Sequence, residues 1–288
     1  MSNLEIDIVE QRFNASDGWE ITGELYRGPS PQWAVLVSAG TGFPRRFYRH
    51  IAEFLARRGA IVLTYDYRGI GASRNGSLAG SEIEYTDWGR YDTPAAIDHL
   101  AKAAPSLPIN HICHSVGGHF IGLMSNHKRI KKHAFLSVGS GYIWHHFWRN
   151  IPLEASFWWL IGPYSLARWN YVKPIAGWKG EPLPPRVFRT WRKWCHRSNY
   201  LASDLHGGLR PHHYEAVTAP IRSWVFSDDP IANKRTAQVL LDCYPNAAKT
   251  LSLATPEDYG LDRIGHEGAF LRGREKLWAE VSNWLFEK

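Results

Sequence analysis

The chain is poor in sulfur and in long apolar runs. Three cysteines in 288 residues (Cys113, Cys195 and Cys243) are too few and too scattered for a disulfide framework. No C-x-x-C pair is present to suggest a structural zinc site. No uninterrupted apolar stretch approaches the roughly 18 residues that a membrane span requires. The first residues, MSNLEIDIVEQRF, are acidic and lack an apolar run, so a secretory signal is not expected. No internal repeat or low-complexity tract appears. The glycine-rich stretch IGASRNG has neither the Walker lysine spacing nor the Rossmann glycine spacing, which leaves turn geometry as its reading. No nucleic-acid reader motif is found, so nucleic acid is not an expected partner. A reduced, cytoplasmic protein is the expectation.

What is present is unevenly placed. The net charge is +7. Residues 141–211 hold ten Lys/Arg against three Asp/Glu, which accounts for the whole excess, and eight of the fourteen tryptophans. Seven prolines break this segment into short pieces. It reads as an aromatic, basic insertion between two parts of one domain, residues 1–140 and 212–288.

Outside the insertion, short apolar β-runs alternate with helical periodicity. Residues 4–13 and 19–27 alternate about the turn NASDG and predict an antiparallel hairpin. Apolar strands are predicted at 33–37, 60–65, 109–114, 133–138, 221–226 and 248–253. Helices are predicted at 45–58, 86–104, 116–126, 233–243 and 269–286. Such alternation implies parallel β-α-β units with right-handed crossovers and helices on both sheet faces.

The chemistry gathers at strand exits. In open α/β sheets, functional groups collect at the carboxyl ends of strands. Ser115 follows the run INHICH and precedes Val116-Gly117-Gly118, at a strand-to-helix turn. A serine hydroxyl needs a base to take its proton and a third group to orient that base. Asp228 and Asp229 follow the strand at 221–226, and His266 follows the strand at 248–253. Adjacent pairs His145-His146 and His212-His213 do not share a helix face and have no acidic partners nearby in sequence, so no metal site is expected.

These motifs resemble those of the α/β-hydrolase superfamily. Cys113-His114-Ser115-Val116-Gly117 is similar to the G-x-S-x-G nucleophile elbow, with Cys113 where the pattern prefers glycine. Asp66-Tyr67-Arg68-Gly69-Ile70-Gly71-Ala72-Ser73 resembles the D-x-R-G-x-G-x-S segment, Ser227-Asp228-Asp229-Pro230-Ile231 the acid loop, and Gly265-His266-Glu267-Gly268 the base loop. The order Ser, Asp, His also matches. The resemblance implies an α/β-hydrolase fold: a mostly parallel sheet with an N-terminal antiparallel hairpin, helices on both faces, and residues 141–211 as an inserted helical lid. It implies catalysis by Ser115, Asp229 (favoured over Asp228) and His266. The oxyanion donors would be the backbone N–H groups of Val116 and of Thr41, with Gly42 as runner-up. His114 is expected to point away from the nucleophile, in structural support.

The expected activity is hydrolysis of a small carboxylic ester, with thioester or amide as variants, and no cofactor. Lid tryptophans Trp144, Trp148, Trp158 and Trp159 are expected to contact a hydrophobic acyl or aromatic substrate. The basic lid suggests an anionic group on the substrate, or transient contact with an anionic membrane face. Two alternatives stand: an acyltransferase using the same triad, and a non-catalytic binding protein that kept the fold.

Overall fold

The computed structural model of the chain describes residues 5–175 and 180–287. Leu4 of the expected first strand and Trp178 of the insertion lie outside the described residues. Eight strands form one sheet: β1 (Asp7–Asn14), β2 (Glu20–Arg27), β3 (Trp33–Ser38), β4 (Ala60–Tyr65), β5 (Ile109–His114), β6 (Ile130–Leu136), β7 (Ile221–Phe226) and β8 (Lys249–Ala254). Their order is β1-β2-β4-β3-β5-β6-β7-β8. The β1–β2 and β2–β4 pairs are antiparallel. All others are parallel. From β3 the chain crosses one way to β4, and from β5 the other way to β6. The β3/β5 boundary is therefore the point where the crossovers diverge, and a crevice opens there above the strand ends.

Helices α1 (Arg49–Arg57), α2 (Thr93–Ala103), α3 (Ile151–Ser156), α4 (Gly162–Trp169), α5 (Pro185–Cys195), α6 (Lys234–Leu241) and α7 (Glu275–Phe286) complete the regular structure. Successive residues of a strand face opposite sides. Asn110 of β5 bonds the Leu285 carbonyl of α7. His111 points the other way, into a buried chain through Ser38 and Tyr65 to Thr93 of α2. Helices thus cover both faces. β3, β4 and β5 are almost entirely buried, which explains their unbroken apolar character. Among the described residues, no helix is long and apolar enough to cross a membrane.

Three expected helices differ. The segment after Ser115 is not an α-helix but two 3₁₀ turns, Ser115–Gly118 and Ile121–Leu123. Three glycines within seven residues weaken helix propensity, and the walls are close. A Cβ on Gly117 would sit 2.6 Å from the Ser38 carbonyl oxygen. The helix at 86–104 begins with a π-turn, Trp88–Asp92, and becomes regular at α2, whose first turn holds Pro94. The final helix starts at Glu275 rather than 269, because Gly273 takes a left-handed φ of 83°.

Residues 141–211 lie between β6 and β7 and carry α3, a π-turn at Phe157–Ile161, α4 and α5. Their interior is aromatic. Trp158 stacks on Phe188 at 5.5 Å and meets Trp191 edge-on at 4.7 Å. Trp194 reaches Tyr85 of the main body at 5.7 Å. Gly162 admits this packing, since a Cβ there would lie 2.1 Å from the Phe188 ring.

Candidate active site

Ser115 sits where β5 turns into the first 3₁₀ turn, with φ of +48°. Residues with a Cβ rarely hold this left-handed conformation, and the strain costs on the order of 1–3 kcal/mol. It lifts the hydroxyl off the strand end. Ser115 Oγ lies 3.1 Å from His266 Nε2, and His266 Nδ1 lies 3.0 and 3.1 Å from the two Asp229 oxygens. A carboxylate only accepts, so Nδ1 carries the proton and Nε2 is left to accept from the serine.

Asp229 is fully buried, and its Oδ1 also accepts the N–H groups of Ile231 and Ala232, both at 2.9 Å. Burial opposes its charge, but His266 and these N–H donors outweigh it and lower its pKa. Burial likewise opposes charge on His266, yet Asp229 overrides it and raises its pKa. Asp228 does not face His266. Its Oδ2 accepts the N–H groups of Ile264 and Gly265 at 2.8 and 3.0 Å, fastening the loop that carries the histidine.

His114 points away from the serine. Its Nε2 lies 3.0 Å from the His266 carbonyl, which can only accept, so Nε2 bears the proton. Burial holds its pKa down to about 3, so the ring is neutral and Nδ1 accepts from the Tyr48 hydroxyl at 2.7 Å. Tyr48 in turn accepts the Gly40 N–H at 2.8 Å. One hydrogen-bonded line thus joins the turn after β3 to the loop of His266. In that turn, Thr41 Oγ1 bonds the Tyr85 hydroxyl. The backbone N–H groups of Thr41 and Val116 meet no protein acceptor among the described residues. Cys113 is fully buried and turns toward His111, with Sγ 3.3 Å from Nδ1, so the larger residue fits without crowding the serine.

The serine opens into a cavity of about 250 Å³ whose walls are mainly apolar. Thr41, Phe43, Tyr85, His119, Phe157, Trp158, Trp191, Tyr200 and Ile231 line it together with Ser115 and His266. Asn150, Leu153, Glu154, Phe157 and Trp158 form one wall. Their spacing is that of a single helix face. This corrects the expected substrate contacts. Trp158 lines the cavity, whereas Trp144, Trp148 and Trp159 do not and are 56%, 74% and 41% exposed. Trp148 instead lies under the Arg149 guanidinium, and Trp159 packs on His196.

The helical spacing of residues 150–158 was readable in the sequence and would have selected Glu154, Phe157 and Trp158. Tyr85 and His119 carry no such local signal. Among the described residues no Lys or Arg lines the cavity, contrary to the expected attraction for an anionic substrate. Four of the insertion's basic groups are engaged elsewhere: Lys193 with Asp204, Arg186 with Glu82 and Glu84, and Arg168 and Lys173 over Trp169.

Among the described residues, His111, Cys113 and His133 are the trio whose ligand atoms converge, within 4.8 Å. Burial keeps both imidazoles neutral and raises the thiol pKa. His111 spends its nitrogens on Ser38 and His133. A metal ligand there would require the thiolate that burial disfavours.

Residues 29–165 match the family model described as "Serine aminopeptidase, S33". No curated protein matches the sequence. Among solved structures, a soluble variant of monoglyceride lipase from Saccharomyces cerevisiae superposes with TM-score 0.68 at 15% identity, covering 97% of this chain and 96% of that one. An esterase from Pyrococcus furiosus gives 0.62 at 17% identity, over 98% and 90%. A thermostable carboxyl esterase from Bacillus coagulans gives 0.61 at 13% identity, over 96% and 99%. Sheet order, strand-end turns and these likenesses agree: the chain has the α/β-hydrolase fold, and residues 29–165 resemble the serine aminopeptidase family within it.

Proposed function

We propose that the protein is a serine hydrolase that cleaves carboxylic esters through an acyl-enzyme on Ser115. The observation that carries this reading is the line Ser115 Oγ–His266 Nε2–His266 Nδ1–Asp229, at 3.1 and 3.0 Å, opening into an apolar cavity. His266 takes the hydroxyl proton as Oγ bonds the ester carbonyl carbon. The negative charge passes to the carbonyl oxygen, which the N–H groups of Val116 and Thr41 receive. The oxyanion collapses, the C–O bond breaks, and His266 gives its proton to the leaving alcohol. Water then repeats the sequence and releases the acid.

Residues 141–211 serve as the lid over residues 1–140 and 212–288. The cavity volume lies near the low end for ligand pockets, which favours short to medium hydrophobic substrates. Seven large hydrophobic side chains between residues 144 and 164 are exposed, among them Trp148, Leu160 and Tyr164. With Arg149 and Arg168 beside them, they suit transient contact with an anionic membrane face. Three buried free thiols suit a reducing, cytoplasmic setting.

The decisive experiment pairs a fluorophosphonate probe with hydrolysis of p-nitrophenyl butyrate. Wild-type labelling and turnover, both lost in Ser115→Ala, support the reading. A wild-type protein that neither labels nor turns over the ester defeats it.

A further inference from the structure

We propose that His114 is a positioning residue for the reaction: its imidazole sets the spacing between the base His266 and the oxyanion turn at Gly40–Thr41. The assignment rests on the serine-hydrolase reading above and adds the residue that aligns its parts.

His114 is the last residue of β5, so its backbone runs directly into Ser115. Its ring reaches the two other parts of the site. Nε2 donates to the His266 carbonyl at 3.0 Å, across 152 residues of chain. Nδ1 accepts from the Tyr48 hydroxyl at 2.7 Å, and the Tyr48 oxygen accepts the Gly40 N–H at 2.8 Å. Gly40 precedes Thr41, whose N–H is the second oxyanion donor in the mechanism above. Nucleophile, base and oxyanion turn thus have one ring as their common reference.

The roles along this line allow one arrangement. A carbonyl only accepts, so Nε2 carries a proton. Burial keeps the ring neutral, which leaves Nδ1 an acceptor and makes Tyr48 the donor. Each donor therefore meets one acceptor from Gly40 to His266. His114 and Tyr48 are both fully buried, so bulk water does not compete for these bonds.

Packing leaves the ring little freedom. It meets Phe270, from the loop of His266, at 4.7 Å and Phe43, from the oxyanion turn, at 5.3 Å. A Cβ on Gly40 would lie 2.7 Å from Nδ1, so the turn rests directly against the ring. A misplacement of about 1 Å between reacting groups costs on the order of a hundredfold in rate, and the parts joined here come from separate loops.

The test measures kcat and KM for p-nitrophenyl butyrate per folded molecule, with the folded fraction read from near-ultraviolet circular dichroism. His114→Phe keeps an aromatic ring and removes both bonds. It should lower kcat about a hundredfold and leave KM within about threefold. His114→Gln puts an amide NH₂ near the place of Nε2, keeps the bond to His266 alone, and should return kcat to within about tenfold of wild type. Tyr48→Phe should cost about tenfold in the wild type but about threefold or less in His114→Gln, where the line is already cut.

A His114→Phe enzyme whose kcat per folded molecule stays within about tenfold of wild type overturns the proposal, as does a loss that falls on KM or only on the folded fraction. A His114→Gln enzyme as slow as His114→Phe overturns it too, because the bond to His266 would then position nothing. If His114→Phe does not fold, Tyr48→Phe and His114→Gln decide: losses that multiply in the double variant mean that Tyr48 does not act through His114. In each of these cases a wild type labelled by fluorophosphonate leaves the triad reading intact. Wild-type protein that does not label overturns the serine reading and this inference with it.

Discussion

The strand-end site and the segment above it are built on opposite principles. Around Ser115 almost every polar atom is spoken for. Asp229 accepts from His266, Ile231 and Ala232, Asp228 from Ile264 and Gly265, and His114 ties Tyr48 to the His266 backbone. Segment 141–211 is held mainly by ring-on-ring contacts and leaves large apolar side chains in solvent. Directional bonds fix atoms to tenths of an ångström, whereas aromatic packing fixes shape and tolerates exchange. The first region therefore holds polar groups in fixed positions, and the second sets the shape of the cavity above them.

That division is broken most sharply by changing the first region. Ser115→Ala should lower kcat for ester hydrolysis by about 10⁶, as for other serine triads. A residual rate within a hundredfold of wild type would move the nucleophile elsewhere. Asp229→Asn should cost roughly 10⁴, because the histidine loses the partner that sets its tautomer. It should also remove the cause of His266's raised pKa. The base works deprotonated, so wild-type kcat/KM should rise with pH through a midpoint above about 6.5, the ordinary histidine value. Folding stability from this raised pKa runs the other way: it is fully present below the unfolded value and is lost as pH climbs through the folded one. Asp229, whose pKa is lowered, contributes stability above its unfolded value and loses it as pH falls through the folded value. A pH–rate profile of the wild type and a pH series of chemical denaturation check these signs.

Changes in the second region should alter preference more than rate. Trp158→Ala, which empties a wall of the cavity, should raise KM for butyrate esters about tenfold while altering kcat less, and should admit longer chains. An equal fall in kcat would mean that Trp158 acts on the transition state. The smallest effect is expected outside. Trp148→Ser with Leu160→Ser should weaken co-sedimentation with vesicles rich in phosphatidylglycerol by about tenfold. Turnover of water-soluble esters should stay within twofold. Unchanged vesicle binding would remove the membrane role.

The two regions were also unequally legible in the sequence. β5 and β7 begin and end where apolar runs and turn residues place them, because a strand buried on both faces leaves no ambiguity. Ser115, Asp229 and His266 were marked by their loops, and the sheet brings them within hydrogen-bonding distance. The 3₁₀ turns after Ser115 were not legible, since they depend on how closely Ser38 and Val138 approach Gly117 and Gly118. In the insertion, composition pointed to tryptophan and to positive charge, but composition carries no direction. Helix phase turns Trp158 inward and Trp159 outward, and it leaves a carboxylate rather than an arginine facing the cavity.

The roots of the insertion constrain how it can move. At its start, the His145 carbonyl accepts from Asn233, the residue that caps α6, and the Phe147 N–H bonds the Pro230 carbonyl beside Asp229. At its end, Arg90 holds the carbonyls of Leu209 and Pro211, and the His213 N–H bonds Gly122 at 2.6 Å. Both entry points are moored to the main body. A displacement that pulls on the first root would therefore reach Asp229 through Pro230, and one that pulls on the second would reach Gly122, in the turns that follow Ser115.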